Sequence, residues 1–266
     1  MTICNRNRFW FIAFLLLCFQ LCRAQAPSGD VSFSFGGDTA PVFDLNGSLS
    51  LEQEIIGAGD QTTPLSFGVN VVHDARGRLS GTGITFVNVG NDGVFANYVI
   101  RGTASGGGTR ANRFSITVKL TGEDFVAGVL TRFTITVHYN LVGDPGSQTL
   151  TGTARGTASF NNLSSARIKS DVTVQLPASM DGSWTANMKI LALQRLAGTG
   201  SIVLSSGRSL PTTLLGTYSS RSAVANIRMT GINEARGTSV QLNFISSDEG
   251  TEIQFVRGKI LGQTVR

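Results

Sequence analysis

The chain has 266 residues, with 22 basic side chains against 17 acidic ones, three cysteines and 32 glycines. The basic residues are scattered singly, so no stripe of the kind that neutralises phosphates is present and no nucleic-acid partner is expected. The glycines show no period of three and only six prolines accompany them, which excludes a collagen or linker composition.

Residues 1–24 read as a signal peptide. MTICNRNR carries two arginines and no acid, the apolar run FWFIAFLLLCFQL follows, and Cys22 and Ala24 supply small residues for cleavage after Ala24. The run is short for a membrane span. Leu17 and Leu21 stand before Cys18 and Cys22, where a lipoprotein needs a small residue. Cys4, Cys18 and Cys22 all fall in this segment, so the mature chain is expected to lack disulfides, thiolate metal sites and cysteine nucleophiles. Loss of Arg6, Arg8 and Arg23 leaves 19 basic against 17 acidic residues, a net charge of +2. Residues 25–43 read as an N-terminal extension.

From there on, apolar and polar residues alternate. In SFGVNVVH (66–73) Phe67, Val69, Val71 and His73 share one face. In RFTITVHY (132–139) Phe133, Ile135, Val137 and Tyr139 oppose Arg132, Thr134, Thr136 and His138. SWTANMKI (183–190) and SVQLNF (239–244) repeat the pattern, and a strand alternates this way when one face is buried and the other meets water. Turn residues separate the runs at Asn91-Asp92-Gly93, Gly143-Asp144-Pro145-Gly146, Asp181-Gly182 and Ser206-Gly207. The expectation is an all-β, antiparallel up-and-down meander of about a dozen strands, either a barrel or a strongly curved sheet.

The meander reads as a duplicated unit of about 115 residues. SFGVNVVHDARGRLSGTG (66–83) lies over SWTANMKILALQRLAGTG (183–200) without a gap, with matches that include Ser, Asn, Arg, Leu, Gly, Thr and Gly. Beyond it GTAS (102–105) matches GTYS (216–219), and Ala111-Asn112 matches Ala225-Asn226. LTGTARGTASF (150–160) is a weaker third echo. This divides the chain into a first β repeat region, 44–182, and a second, 183–266, either separate or one continuous domain. Glycine weakens a strand, so the recurring Gly-Thr pairs need a reason. Bulges, strand coiling and close approach of a facing backbone are the usual ones. No helix is expected after these glycines, which removes the phosphate-binding reading.

Candidate chemistry is sparse. His73 shares the apolar face of its strand and reads as a strand-end or core residue. His138 lies on the polar face and reads as solvated; neither has a second histidine at metal-ligand spacing. Glu123-Asp124 and Asp248-Glu249 stand beside glycines and read as solvated turns, with a carboxylate pair for glycoside hydrolysis as the alternative. No G-x-S-x-G, H-E-x-x-H or calcium-loop pattern is present. LPTTL (210–214) has Leu214 where a cell-wall sorting signal has glycine. Asn46-Gly47-Ser48 and Asn162-Leu163-Ser164 are sequons that matter only in a eukaryotic secretory pathway. No catalytic, cofactor or metal residue is assigned.

Residues 181–220, with G-S-W, a strand, a turn, L-x-G-T-G and then G-T-Y-S, resemble the opening hairpins of avidin-like barrels over about forty residues. Biotin barrels line their pocket with several tryptophans, whereas the mature chain has only Trp184, so the resemblance implies a fold and no binding residues. The whole mature chain resembles uncharacterised exported bacterial proteins built from such hairpins, which implies export and an all-β fold. The function expected is a non-enzymatic exported protein with a structural or binding role at the cell envelope or outside the cell. The location is secreted, periplasmic or at the cell surface. The alternatives are an outer-membrane β-barrel and a soluble barrel carrying a small apolar ligand.

Overall fold

The computed structural model describes residues 29–35, 42–107, 110–126, 128–144, 149–176, 182–191, 195–219, 224–231, 239–247 and 250–265. After an initial strand β1 (Gly29–Phe35) come β2 (Gly47–Ile56), β3 (Thr62–His73), β4 (Arg78–Val89), β5 (Asp92–Gly107), β6 (Arg110–Val126), β7 (Val129–Gly143), β8 (Thr149–Phe160) and β9 (Ala166–Gln175). The second stretch holds β10 (Gly182–Leu191), β11 (Arg195–Leu204), β12 (Ser209–Ser219), β13 (Val224–Gly231), β14 (Ser239–Ser247), β15 (Gly250–Ile260) and β16 (Gln263–Val265). One turn of 3-10 helix spans Ala58–Asp60, and the described residues include no α-helix.

The all-β antiparallel meander expected from the alternation is present, with sixteen described strands where about a dozen were expected. Strands β2 to β9 pair in sequence, and β9 returns to β2, so these eight form a ring. The closing seam is thin. Ile55 pairs with Ile168 and Ile56 with Arg167, and the Glu54 N–H donates to Ser170 Oγ at 2.7 Å. Strands β10 to β16 form a second meander, β1 adds antiparallel to β10, and β16 touches β5 in parallel at Thr264 and Gly107. The segment read as an N-terminal extension therefore contains β1, and its last two residues, Val42 and Phe43, are completely buried.

Period-two alternation decides what fills the ring. Phe67, Val69, Val71 and His73 of β3 and Phe133, Ile135, Val137 and Tyr139 of β7 all point inward and are buried, as their spacing predicts. Strand β8 places Gly152, Ala154, Gly156 and Ala158 on the inner face, each beside a larger β7 side chain: Leu141, Tyr139, Val137 and Ile135. Large against small lets the inner faces of a narrow ring interdigitate. The one buried phenol of β7 is satisfied inside: Tyr139 Oη donates to Gln53 Oε1, and Gln53 Nε2 donates to the Leu65 carbonyl at 2.9 Å. Burial pushes the Tyr139 phenol well above its usual 10.0, so it stays a neutral donor.

The RLSGTG run lies on β4, at one of the irregular ladders of the ring. Pairing of β3 with β4 stops after Phe67–Val87 and resumes, shifted, at Val72–Ser80. In the gap, Tyr98 of β5 lays its ring over Gly83, where an added Cβ would stand 2.9 Å from ring atoms. Its hydroxyl accepts the Asn70 N–H at 3.2 Å, and Thr85 Oγ1 donates to the Gly68 carbonyl. Side chains thus take over bonds that the ladder gives up, which only a residue without Cβ permits at position 83. The RLAGTG run lies on β11 and keeps the same register against its next strand. Gly83 faces Tyr98 and Gly200 faces Thr212; Arg78 faces Thr103 and Arg195 faces Thr217.

Candidate functional site

The two mouths of the ring differ. At the end where β3 and β7 finish, the chain closes the opening with its own residues. Phe43 packs edge-on against Phe114 with centroids 6.2 Å apart, over Gly143, where a Cβ would meet the Phe43 ring at 2.6 Å. The side chain of Gln263, the first residue of β16, holds the Phe43 backbone: the Phe43 N–H donates to Oε1 at 2.8 Å, and Nε2 donates to its carbonyl at 2.7 Å.

Beside this plug sits a buried polar cluster. Asp44 accepts two bonds from Arg208 Nη1, at 2.9 and 3.0 Å, and lies 3.3 Å from His73 Nδ1. Arg208 Nη2 donates to the His73 carbonyl at 2.6 Å. Burial would raise the Asp44 carboxyl, but the His73 contact, the Arg208 charge and the Asn46 N–H together outweigh it and hold Asp44 below the usual 3.8. His73 is wholly buried and both ring nitrogens are engaged. Nδ1 meets the Leu45 N–H at 3.2 Å as well as Asp44, and Nε2 meets the Leu261 carbonyl at 3.1 Å. Asp44 and His73 belong to the ring half, Arg208 and Leu261 to the second meander, so the cluster joins the two.

These contacts place the residues considered in the sequence. His73 is a core histidine at the end of its strand, as expected, and the structure adds its role as a hub. His138 is exposed on the outer face, with Nδ1 2.9 Å from Thr117 Oγ1. Glu123 and Asp124 are not in a turn: both lie within β6, because the β6–β7 hairpin continues to Val126–Val129. The Gly122 beside them is no turn signal; its missing Cβ would meet the Phe133 ring. Glu123 faces outward, 3.5 Å from Arg132 Nε. Asp248 and Glu249 lie outside the described residues. Among the described residues no three His, Cys, Asp or Glu side chains gather as metal ligands would.

The other mouth, where β4, β6 and β8 end, holds a cavity of about 170 Å³. Its walls are Val87, Val89, Val94, Val126, Phe133, Ile135 and Phe160, and Asp92, Asp124 and Thr131 supply its polar groups. Asp124 stands opposite Thr131 in the β6–β7 ladder; its Oδ1 accepts the Phe125 N–H, and the Thr131 hydroxyl donates to the Val129 carbonyl. The outer rim of the same end is apolar. Phe86 and Phe95 meet edge-on at 5.1 Å, and Ile84, Phe95 and Phe125 are each about 70% exposed. An apolar cavity with a few polar groups at its lip is the usual form of a small-molecule site. Sequence alternation identifies its walls, whereas nothing local marks the unfilled volume. Neither a protein-family model, nor a curated protein, nor a solved structure matches the chain.

Proposed function

We propose that the chain is a non-enzymatic exported protein with a binding role at the cell envelope or outside the cell, and that it binds through the open mouth of the ring. The observation that carries this reading is the asymmetry of the mouths: one is sealed by Phe43 and its neighbours, the other keeps an apolar cavity beneath an apolar rim. Exposed apolar groups of this kind, gathered at one end, mark interaction sites. The histidine with the most elaborate surroundings supports a structural rather than catalytic role, since both nitrogens of His73 are occupied by the protein itself.

The ring's faces favour this reading over an outer-membrane barrel. A membrane barrel carries an apolar band outside and a polar lumen. Here the lumen is apolar, and the outer face of the ring carries exposed Arg101, Lys119, Arg155 and Lys169. Export itself rests on residues 1–24. Fractionation of expressing cells tests the whole proposal: the mature chain is expected among exported proteins extractable by carbonate. Carbonate-resistant membrane association would overturn it. A neutral one-ring probe such as toluene is expected to shift the NMR resonances of the mouth residues in the purified chain, and to lose that binding when Val94→Trp fills the mouth.

A further inference from the structure

We propose that the open mouth selects a small organic cation, one aromatic ring or short alkyl chain carrying an ammonium group, with the apolar part in the cavity and the charge between Asp92 and Asp124. This rests on the reading that the mouth binds, and adds the class of ligand. The cavity comes first in the argument. A protein cavity of about 150 Å³ accepts one benzene, whereas drug-sized ligands need roughly 300–1,000 Å³. The 170 Å³ found here therefore takes one ring or a chain of similar volume, and is too small for a lipid or a fused-ring cofactor. Valines and the Phe133, Ile135 and Phe160 side chains offer such a group dispersion contacts and no hydrogen bonds.

The polar groups then choose among small apolar ligands. Asp92 and Asp124 both line the cavity, and no basic side chain does. The arginines of this end are turned to the outer face and paired there, Arg132 with Glu123 at 3.5 Å and Arg167 with Asp60 at 3.9 Å. The Thr131 hydroxyl spends its proton on the Val129 carbonyl, so it too presents lone pairs to the cavity. An ammonium group offers donors and positive charge to three acceptors. A carboxylate in the same place would face two like charges, and an alcohol would gain hydrogen bonds alone. Two solvent-exposed ion pairs amount to roughly a tenfold preference for the amine over the isosteric alcohol at low salt.

The test titrates the purified mature chain with 2-phenylethylamine, 2-phenylethanol and phenylacetate, following amide and methyl resonances of the mouth residues by NMR. The expected order is amine, then alcohol at about tenfold weaker affinity, then carboxylate. Asp92→Asn and Asp124→Asn are each expected to bring the amine toward the alcohol, and together to erase the preference without changing the alcohol. Added salt should weaken the amine alone. Val94→Trp should abolish all binding, with unchanged circular dichroism showing that the fold persists. If amine and alcohol bind equally, or the carboxylate binds best, the cation proposal is overturned while binding at the mouth stands. If no ligand perturbs the mouth, or Val94→Trp leaves amine binding intact, both readings fall.

Discussion

Arg208→Met should loosen the join between the ring and the second meander, because it strands Asp44. The Asp44 side chain is 2% exposed and receives two charged hydrogen bonds from a guanidinium that is itself 22% exposed. Removing one partner of a buried pair costs about 3–5 kcal/mol, since the remaining charge keeps its desolvation penalty without its compensation. Arg208 retains some solvent, so the lower end applies, about 3 kcal/mol. For a chain of this size that corresponds to a fall of roughly 6–12 °C in Tm. Urea denaturation followed by circular dichroism measures it, and the double variant Asp44→Asn with Arg208→Met should recover part of the loss. The effect also has a pH signature. Asp44 is held below 3.8 in the fold, so its contribution is complete above that value and disappears as pH falls through the lower folded pKa. The gap between wild type and Arg208→Met should therefore narrow in acid below pH 3.8. A change below about 0.5 kcal/mol at neutral pH, the size of an ordinary surface substitution, would refute the reasoning.

Three further outcomes follow from single contacts. Tyr98→Phe removes the acceptor of the Asn70 N–H and should cost about 1–2 kcal/mol, with faster hydrogen exchange at the Asn70 amide as the local readout. Phe43→Ala empties the plug over Gly143 and should cost about 3–5 kcal/mol, seen as a lower urea midpoint and earlier proteolysis before β2. Tyr139 stays protonated in the fold while its unfolded pKa is near 10.0. Its contribution is complete below that value and is lost as pH rises through the higher folded pKa. Alkaline titration of absorbance should show one tyrosine ionising only with unfolding, a component missing from Tyr139→Phe.

The strands were legible in the sequence because their signal is local. Phe133, Ile135, Val137 and Tyr139 declare the inner face of β7 within eight residues, and burial follows the pattern without exception. The cluster at the closed mouth had no such signal. Asp44 and Arg208 are 164 residues apart, and each stands alone among neighbours that say nothing about it. The same limit hid Phe43, which reads as part of an N-terminal extension until the ring mouth is there to receive it. Glu123 and Asp124 were misplaced for a different reason. Gly122 looks like a turn residue, but here glycine makes room for Phe133, and the strand runs on to the mouth. The site was half legible: alternation exposes its apolar walls, while its volume depends on which inner side chains happen to stop short.

The two R-L-x-G-T-G runs show how one local sequence is used in two ways, and they yield a last test. Both face the following strand in the same register, so Tyr98 and Thr212 occupy matching places opposite Gly83 and Gly200. On β4 the tyrosine reaches across the glycine and the ladder to β3 opens around its hydroxyl. On β11 the ladder to β10 runs unbroken from Leu204 to Arg195, so the glycines alone do not break pairing. The break follows the aromatic residue opposite them. Thr212, in its stead, is completely buried and its Oγ1 has no hydrogen-bond partner among the described residues. A buried hydroxyl without a partner carries its desolvation cost uncompensated, and valine has nearly the same shape without that cost. Thr212→Val should therefore stabilise the chain by about 1 kcal/mol, read as a higher urea midpoint at unchanged slope. A loss of stability would mean that the hydroxyl is bonded after all, and that the second run, like the first, depends on a polar group opposite its last glycine.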